Sequence, residues 1–251
     1  MAAWFRQLND DLGKEAELPA GITMHRLLLD MDNSNKIILD LCGGTGSWSR
    51  PYKDAGYSVH VLTLPVYDVT KVEFGRHAMD FVRQDVHYRD TLTVLYEDVY
   101  GILAAPPCTE FSLAKGGLPR DFATGVDVMS ACLRIIWQCR MHNKLAFWAL
   151  ENPVGFMRQF LGRPHYTFEQ WQFGDFGIKP TDIWGYFKEP KPITKDRPGL
   201  LAVMYKDGHR HGRGMANPVC PPEYEGMGLD RAAIRAITPA GFARAFYRAN
   251  R

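Results

Sequence analysis

The chain has 251 residues, 46% hydrophobic and 23% charged, with a formal net charge of +2. That length and apolar content can fill the core of one large domain, alone or with a small appendage, while the lack of any run of about eighteen apolar residues argues against a membrane-spanning helix. Five scattered cysteines without a CxxC pair, and a start (Met1-Ala2-Ala3-Trp4-Phe5-Arg6) without a signal peptide's apolar stretch, fit a reduced, cytoplasmic protein.

In chain order, Ile37–Leu41 reads as a buried strand, residues 48–55 as a short helix, and residues 57–62, 81–83 and 99–104 as further strands. Residues 126–142 read as a helix, because Val128, Met129, Cys132, Ile135, Ile136 and Cys139 share one face. Residues 145–150 are apolar throughout, which predicts a strand covered on both sides. This alternation predicts an α/β fold with a doubly wound sheet, whose ligands gather at the carboxyl ends of the strands. After Pro153 the pattern thins. Strands are expected at 181–187 and 200–205, a mobile basic loop at 206–214, and a closing helix at 239–249 with Thr238 as its N-cap. Charge divides unevenly: residues 1–150 carry −3 and residues 151–251 carry +5. A basic C-terminal part suits a polyanion; a solvated surface is the other reading of the same count.

Three strand ends carry chemistry. The first continues into Asp40-Leu41-Cys42-Gly43-Gly44-Thr45-Gly46-Ser47, a turn whose glycines let the main chain approach a ligand closely. It is neither GxGxxG nor a P-loop. The strand at 99–104 runs into Ala105-Pro106-Pro107-Cys108-Thr109-Glu110-Phe111-Ser112, a thiol behind a stiff Pro-Pro turn. The strand at 145–150 ends in Glu151-Asn152-Pro153, a carboxyl and an amide. Read alone, Cys108 could be a small buried hydrophobe, Glu151 a helix-start residue and the glycine run a plain strand-to-helix turn.

Together these motifs resemble those of the DNA cytosine-5 methyltransferases, over residues 36–160 and more loosely over 230–250. The resemblance implies a class I S-adenosylmethionine-dependent methyltransferase fold and methylation of carbon 5 of cytosine in DNA. Cys108 would be the nucleophile that adds to carbon 6, in a site expected to favour its thiolate. Glu151 would act on N3 as the acid, and Asn152 would brace its loop. S-adenosyl-L-methionine would be held by Asp40, Cys42, Gly43, Gly44, Thr45, Gly46, Asp85 and Pro106. Pro107, Ser112, Lys179, Thr181, Arg210 and Arg213 would contact the substrate.

Several features depart from the family. Thr109 stands where Gln is usual, Pro153 where Val is usual, and Cys42 where a Phe touches adenine; Trp48 is the nearest aromatic replacement. No acid ends the second strand, Asp68 being the nearest. A Gln-Arg-Arg-like segment is missing, and residues 176–184 occupy about its place. The Gly-Asn that opens the last motif is absent from residues 237–243. Residues 1–162 would form the catalytic domain, 163–230 a small target-recognition region, and 231–251 a helix returning to the catalytic domain. Such brevity looks like the small phage-type or orphan members, acting as a monomer in a bacterial or phage-infected cell. The same chemistry on RNA or a free cytidine nucleotide, transfer of a different one-carbon group, and a non-catalytic DNA-binding homologue stay open as alternatives.

Overall fold

The structure, a computed structural model, describes residues 32–175, 179–196, 205–206, 209–210 and 220–251, the main chain alone at 205–206 and 209–210. Everything below lies in the unit Ser34–Arg251. Its centre is a six-stranded mixed sheet. The strands are β1 (Ile37–Leu41), β2 (Ser58–Leu62), β6 (Val99–Ala104), β7 (Phe147–Pro153), β8 (Tyr166–Phe168) and β9 (Thr181–Tyr186). They run in the order β2-β1-β6-β7-β9-β8. Pairing is parallel from β2 to β7 and antiparallel for β7–β9 and β8–β9. The α/β expectation holds at this level.

The sheet is covered on both faces because alternate residues of its strands point to opposite sides. Leu39, Leu41, Ile102, Ala104 and Leu150 join a cluster with Met129, Cys132, Ile135, Ile136 and Cys139 of α2 (Phe122–His142). Ile38, Leu103, Phe147, Ala149 and Ile183 face the opposite cluster. There Trp48 and Tyr52, next to and within α1 (Arg50–Asp54), meet Phe242 and Phe246 of α5 (Ala240–Asn250). Each fully buried Leu, Ile or Phe contributes on the order of 1.5–3 kcal/mol. Gly101 allows the close fit of β6 on β7, since a Cβ there would overlap the Phe147 ring.

Helix α2 starts four residues before the expected 126 because Asp121 caps it, accepting from Thr124 N (3.1 Å) and Thr124 Oγ1 (2.6 Å). Helix α5 is capped from a distance. Pro239, not Thr238, is its N-cap residue, and the Asp175 carboxylate accepts from Gly241 N (2.9 Å) and Phe242 N (3.0 Å).

One expectation fails. The strand expected at 81–83 lies outside the main sheet, in an antiparallel meander of β3 (Glu73–Phe74), β4 (Ala78–Val82) and β5 (Thr91–Leu95). The residues explain it. In β4, buried Met79 and Phe81 alternate with more open Ala78, Asp80 and Val82. That is the signature of a half-buried antiparallel strand, not of a doubly covered parallel one. The meander's inner face joins α2 in one cluster.

Strands β8 and β9 extend the main sheet beyond β7. Of the expected strand 200–205, residues 200–204 lie outside the described residues. Tyr205–Lys206 (β10) pairs antiparallel with His209–Arg210 (β11). Two further short helices, α3 (Met157–Leu161) and α4 (Arg231–Ala236), lie close to the candidate site in sequence or by hydrogen bonding. Among the described residues, no helix is long and apolar enough to cross a membrane, and no group of three or more His, Cys, Asp or Glu is placed to hold a metal ion.

Candidate functional site

Parallel pairing of β1, β6 and β7 brings their carboxyl ends together, and with them the glycine turn, Cys108 and Glu151. The loops that follow β6 and β7 are stitched together by hydrogen bonds. Asn152 Nδ2 donates to Pro106 O (3.0 Å), and Phe156 N donates to Phe111 O (2.8 Å). Ser112 pairs with Gly155 in an isolated bridge. Gly155 is required here, because a Cβ would overlap the Phe111 carbonyl. Cys108 O accepts from Phe111 N (3.0 Å) and Ser112 N (2.7 Å), closing the turn that presents the thiol. Beyond it, Glu110 gathers the loop. Its carboxylate meets Lys115 Nζ (2.5 Å) and Asp121 N (2.7 Å), and its carbonyl accepts from Arg120 (2.7 Å).

Antiparallel pairing of β7 with β9 sets Pro153 beside Thr181, so the residues just before β9 lie next to the end of β7. This brings Lys179 Nζ to 3.9 Å from Glu151 Oε1. Both side chains keep enough exposure, 18% and 17%, to meet a ligand. Lys179 also donates to Arg235 O (3.1 Å) on α4. Sequence reading missed Arg235. Nothing local marks it, and only the tertiary return of α4 brings it here.

Burial pushes the Glu151 carboxyl above its usual value, with Lys179 pulling against it. Burial also pushes the Cys108 thiol up; Lys179 and Arg235 pull it down and Glu151 pushes it up. The expectation that the site favours the thiolate is therefore corrected. In the free protein desolvation outweighs the cations, and the thiol holds its proton.

At the glycine turn, Cys42 (φ 57°), Gly44 (φ 56°) and Gly46 (φ 71°) take left-handed conformations. Gly43 leaves no room for a Cβ, because the Asp40 carboxyl fills that space. Asp40 is fully buried. Ser49 Oγ donates to its Oδ2 (2.5 Å), while its Oδ1 has no hydrogen-bond partner. Trp48 Nε1 is likewise buried without a partner. The C-terminal segment returns to this turn: Thr238 N donates to Ser47 Oγ (2.8 Å).

Desolvation pushes Asp40 up to about 6 from 3.8, against the lowering effect of Ser49. The folded state keeps this proton to a higher pH than the unfolded chain does. Its contribution is therefore fully present below 3.8 and is lost as pH rises through about 6. At 1.36 kcal/mol per pKa unit the loss is on the order of 3 kcal/mol. Asp40→Asn should thus flatten the dependence of Tm on pH across this window. Parallel curves for the two proteins would show that Asp40 does not carry that dependence.

Other expected site residues are placed elsewhere or are otherwise engaged. Asp85 follows β4 in the meander and is gripped by Arg83, Nε to Oδ1 at 2.9 Å and Nη2 to Oδ2 at 2.8 Å; it does not end a strand of the main sheet. Asp68 caps a turn by accepting from Thr70 N (2.9 Å). Trp48 is 2% exposed against Phe242 and Phe246, so it offers no open ring face in place of the missing Phe. The Cys42 side chain turns toward α2, its Sγ 3.9 Å from that of Cys132. Ser112 Oγ is taken by Ala114 N (3.1 Å). Thr181 is buried and donates to Lys179 O (3.0 Å), so it supports Lys179 and does not face a substrate. Pro106 is buried and Pro107 is exposed. The Arg210 side chain, Arg213 and residues 176–178 lie outside the described residues. No protein-family model matches the chain, and no curated protein is significantly similar to it.

Proposed function

We propose that the protein is an S-adenosylmethionine-dependent methyltransferase of class I type that methylates carbon 5 of cytosine in DNA. The observation that carries this reading is the meeting of Cys108, Glu151 and Lys179 at the carboxyl ends of β6 and β7. Lys179 lies 3.9 Å from Glu151, whose carboxyl burial pushes up, and the charges of both act on the Cys108 thiol.

In this reading Cys108 gives up its thiol proton to water, its Sγ bonds to carbon 6 of the flipped base, and the displaced ring electrons place negative charge on N3 and O2. Glu151, its carboxyl pushed above the usual value by burial, donates to N3. The Lys179 ammonium opposes the charge growing on the ring. Carbon 5 becomes nucleophilic and takes the methyl group. With the donor released as its neutral thioether, loss of the carbon 5 proton to water and return of the N3 proton to Glu151 then let the ring expel Cys108 as a thiolate and recover its aromaticity. Asn152, through Pro106 O, holds the thiol and carboxyl loops in register.

When bound, S-adenosylmethionine supplies the electrophilic methyl group. The glycine turn fits its cationic end: Asp40 Oδ1 is buried and unpaired there, and Gly44 leaves the main chain open to close approach. The ribose and adenine contacts expected from Asp68, Asp85 and an aromatic ring are not matched, since those carboxylates are engaged elsewhere and Trp48 is core. The amino-acid end of the donor would thus be held chiefly by β1 and its turn.

The test is mass analysis of nucleosides from DNA incubated with the protein and S-adenosylmethionine. 5-Methyldeoxycytidine is expected. Methylation at N4 of cytosine or on adenine, or no modified nucleoside, would overturn the assignment; an added mass other than a methyl group would change the donor.

A further inference from the structure

Most basic side chains around Cys108 and Glu151 are committed to protein partners. Lys115 and Arg120 hold Glu110, and Arg158 forks onto buried Asp182 with both bonds at 2.7 Å. Lys179 lies between Glu151 and the carbonyl of Arg235. Arg231, at the start of α4, stands in water. Arg235 differs from all of these. It is partly buried in the last turn of α4, and its guanidinium has no carboxylate or hydrogen-bond acceptor among the described residues.

A guanidinium is always charged and offers five donors in a fixed fork. Withdrawing it even partly from water without an acceptor is unfavourable, so its position suits an anionic ligand. The segment that carries it is fastened on both sides. Lys179 holds the carbonyl of Arg235, and three residues later Thr238 N is held by Ser47 Oγ of the glycine turn. Arg235 therefore sits between the base site and the donor loop, with its main chain fixed and its side chain uncommitted among the described residues. Its charge also reaches Cys108, whose thiol it pulls down.

We propose that Arg235 binds a backbone phosphate of the target nucleotide, while Glu151 and Lys179 engage its base. The proposal rests on the nucleic-acid reading given above. It adds the group that would fix the nucleotide's sugar-phosphate against the site, a role for which the planar fork of arginine is suited to phosphate oxygens.

The experiment compares full-length wild type, Arg235→Lys and Arg235→Gln. Binding to a short single-stranded DNA with one cytosine is followed across a salt series, and thermal melts check the fold. The Lys179 bond uses only the main chain at 235, so both variants should fold. Arg235→Gln should flatten the slope of log affinity against log salt by about 0.7 on a single strand, or about 0.9 on duplex. Arg235→Lys should keep most of that slope. The same loss should appear on an oligonucleotide lacking the target base, because its phosphates remain. Affinity for S-adenosylmethionine without DNA should not change. An unaltered salt slope would overturn the proposal, as would a fall in donor affinity without DNA, which would give the guanidinium to the donor's carboxylate. The nucleoside analysis of wild type reads separately. 5-Methyldeoxycytidine with an unaltered slope rejects Arg235 alone, whereas a changed slope without that product rejects the methylation reading alone. A wild type that binds no DNA rejects both.

Discussion

Cys108→Ser is expected to lower methyl transfer by roughly 10³-fold or more while leaving the fold and donor binding intact. Serine is close in size, and the turn at 108–112 is built from the main chain, through Cys108 O, so the substitution removes reactivity and little else. A hydroxyl is a far weaker nucleophile than a thiolate at neutral pH. The thiol's environment gives the same experiment a second readout. Because burial holds the thiol above its ordinary value, alkylation at Cys108 should be slow at neutral pH and accelerate in the alkaline range. Lys179→Met should push that rise further up, since removing a cation destabilises the thiolate. Peptide-resolved mass spectrometry separates Cys108 from Cys42 and Cys220, which are also partly exposed. Methyl transfer by the serine variant within about tenfold of wild type would show that no covalent thiol adduct is needed.

Glu151→Gln is expected to slow methyl transfer by ~10²–10⁴-fold. The amide retains size and hydrogen bonding but has no acid proton to deliver to N3. The loss should fall on kcat, because the charge it answers develops only after Cys108 adds to the ring. DNA affinity should change little, as the carboxyl is raised toward its neutral form before substrate arrives. Single-turnover rates with saturating DNA and donor separate these effects. An unchanged rate would leave Glu151 as no more than the counter-charge of Lys179.

The main-sheet strands that carry the site, and the two long helices, were legible because each is written locally. β1, β6 and β7 are continuous apolar runs, α2 has a helical apolar face, and the three chemical motifs stand directly at strand ends. Parallel order then made their convergence an expected consequence. Of the meander only residues 81–83 read as a strand, and the alternation in β4 marks a half-solvated sheet and not a covered parallel one. Helix α5 shows a different limit: its cap comes from Asp175, far back in the chain, so no local pattern could supply it.

The sequence by itself determined which strand ends bear the thiol, the carboxyl and the glycine turn. Those identities follow from residue type and from the β-sheet period. Tertiary structure decided which of the remaining candidates share that space. It set Lys179 beside Glu151 through the register of β7 and β9, and it bound Thr181 and Ser112 into local hydrogen bonds. It buried Trp48 against α5 and tied Asp85 to Arg83 in a separate sheet. It also raised the Cys108 thiol, because desolvation depends on everything packed around a group and not on its neighbours in sequence. Arg235 is the clearest case: a charged residue in a short helix acquires its meaning only when the chain's return brings it to a space already holding Cys108 and Glu151.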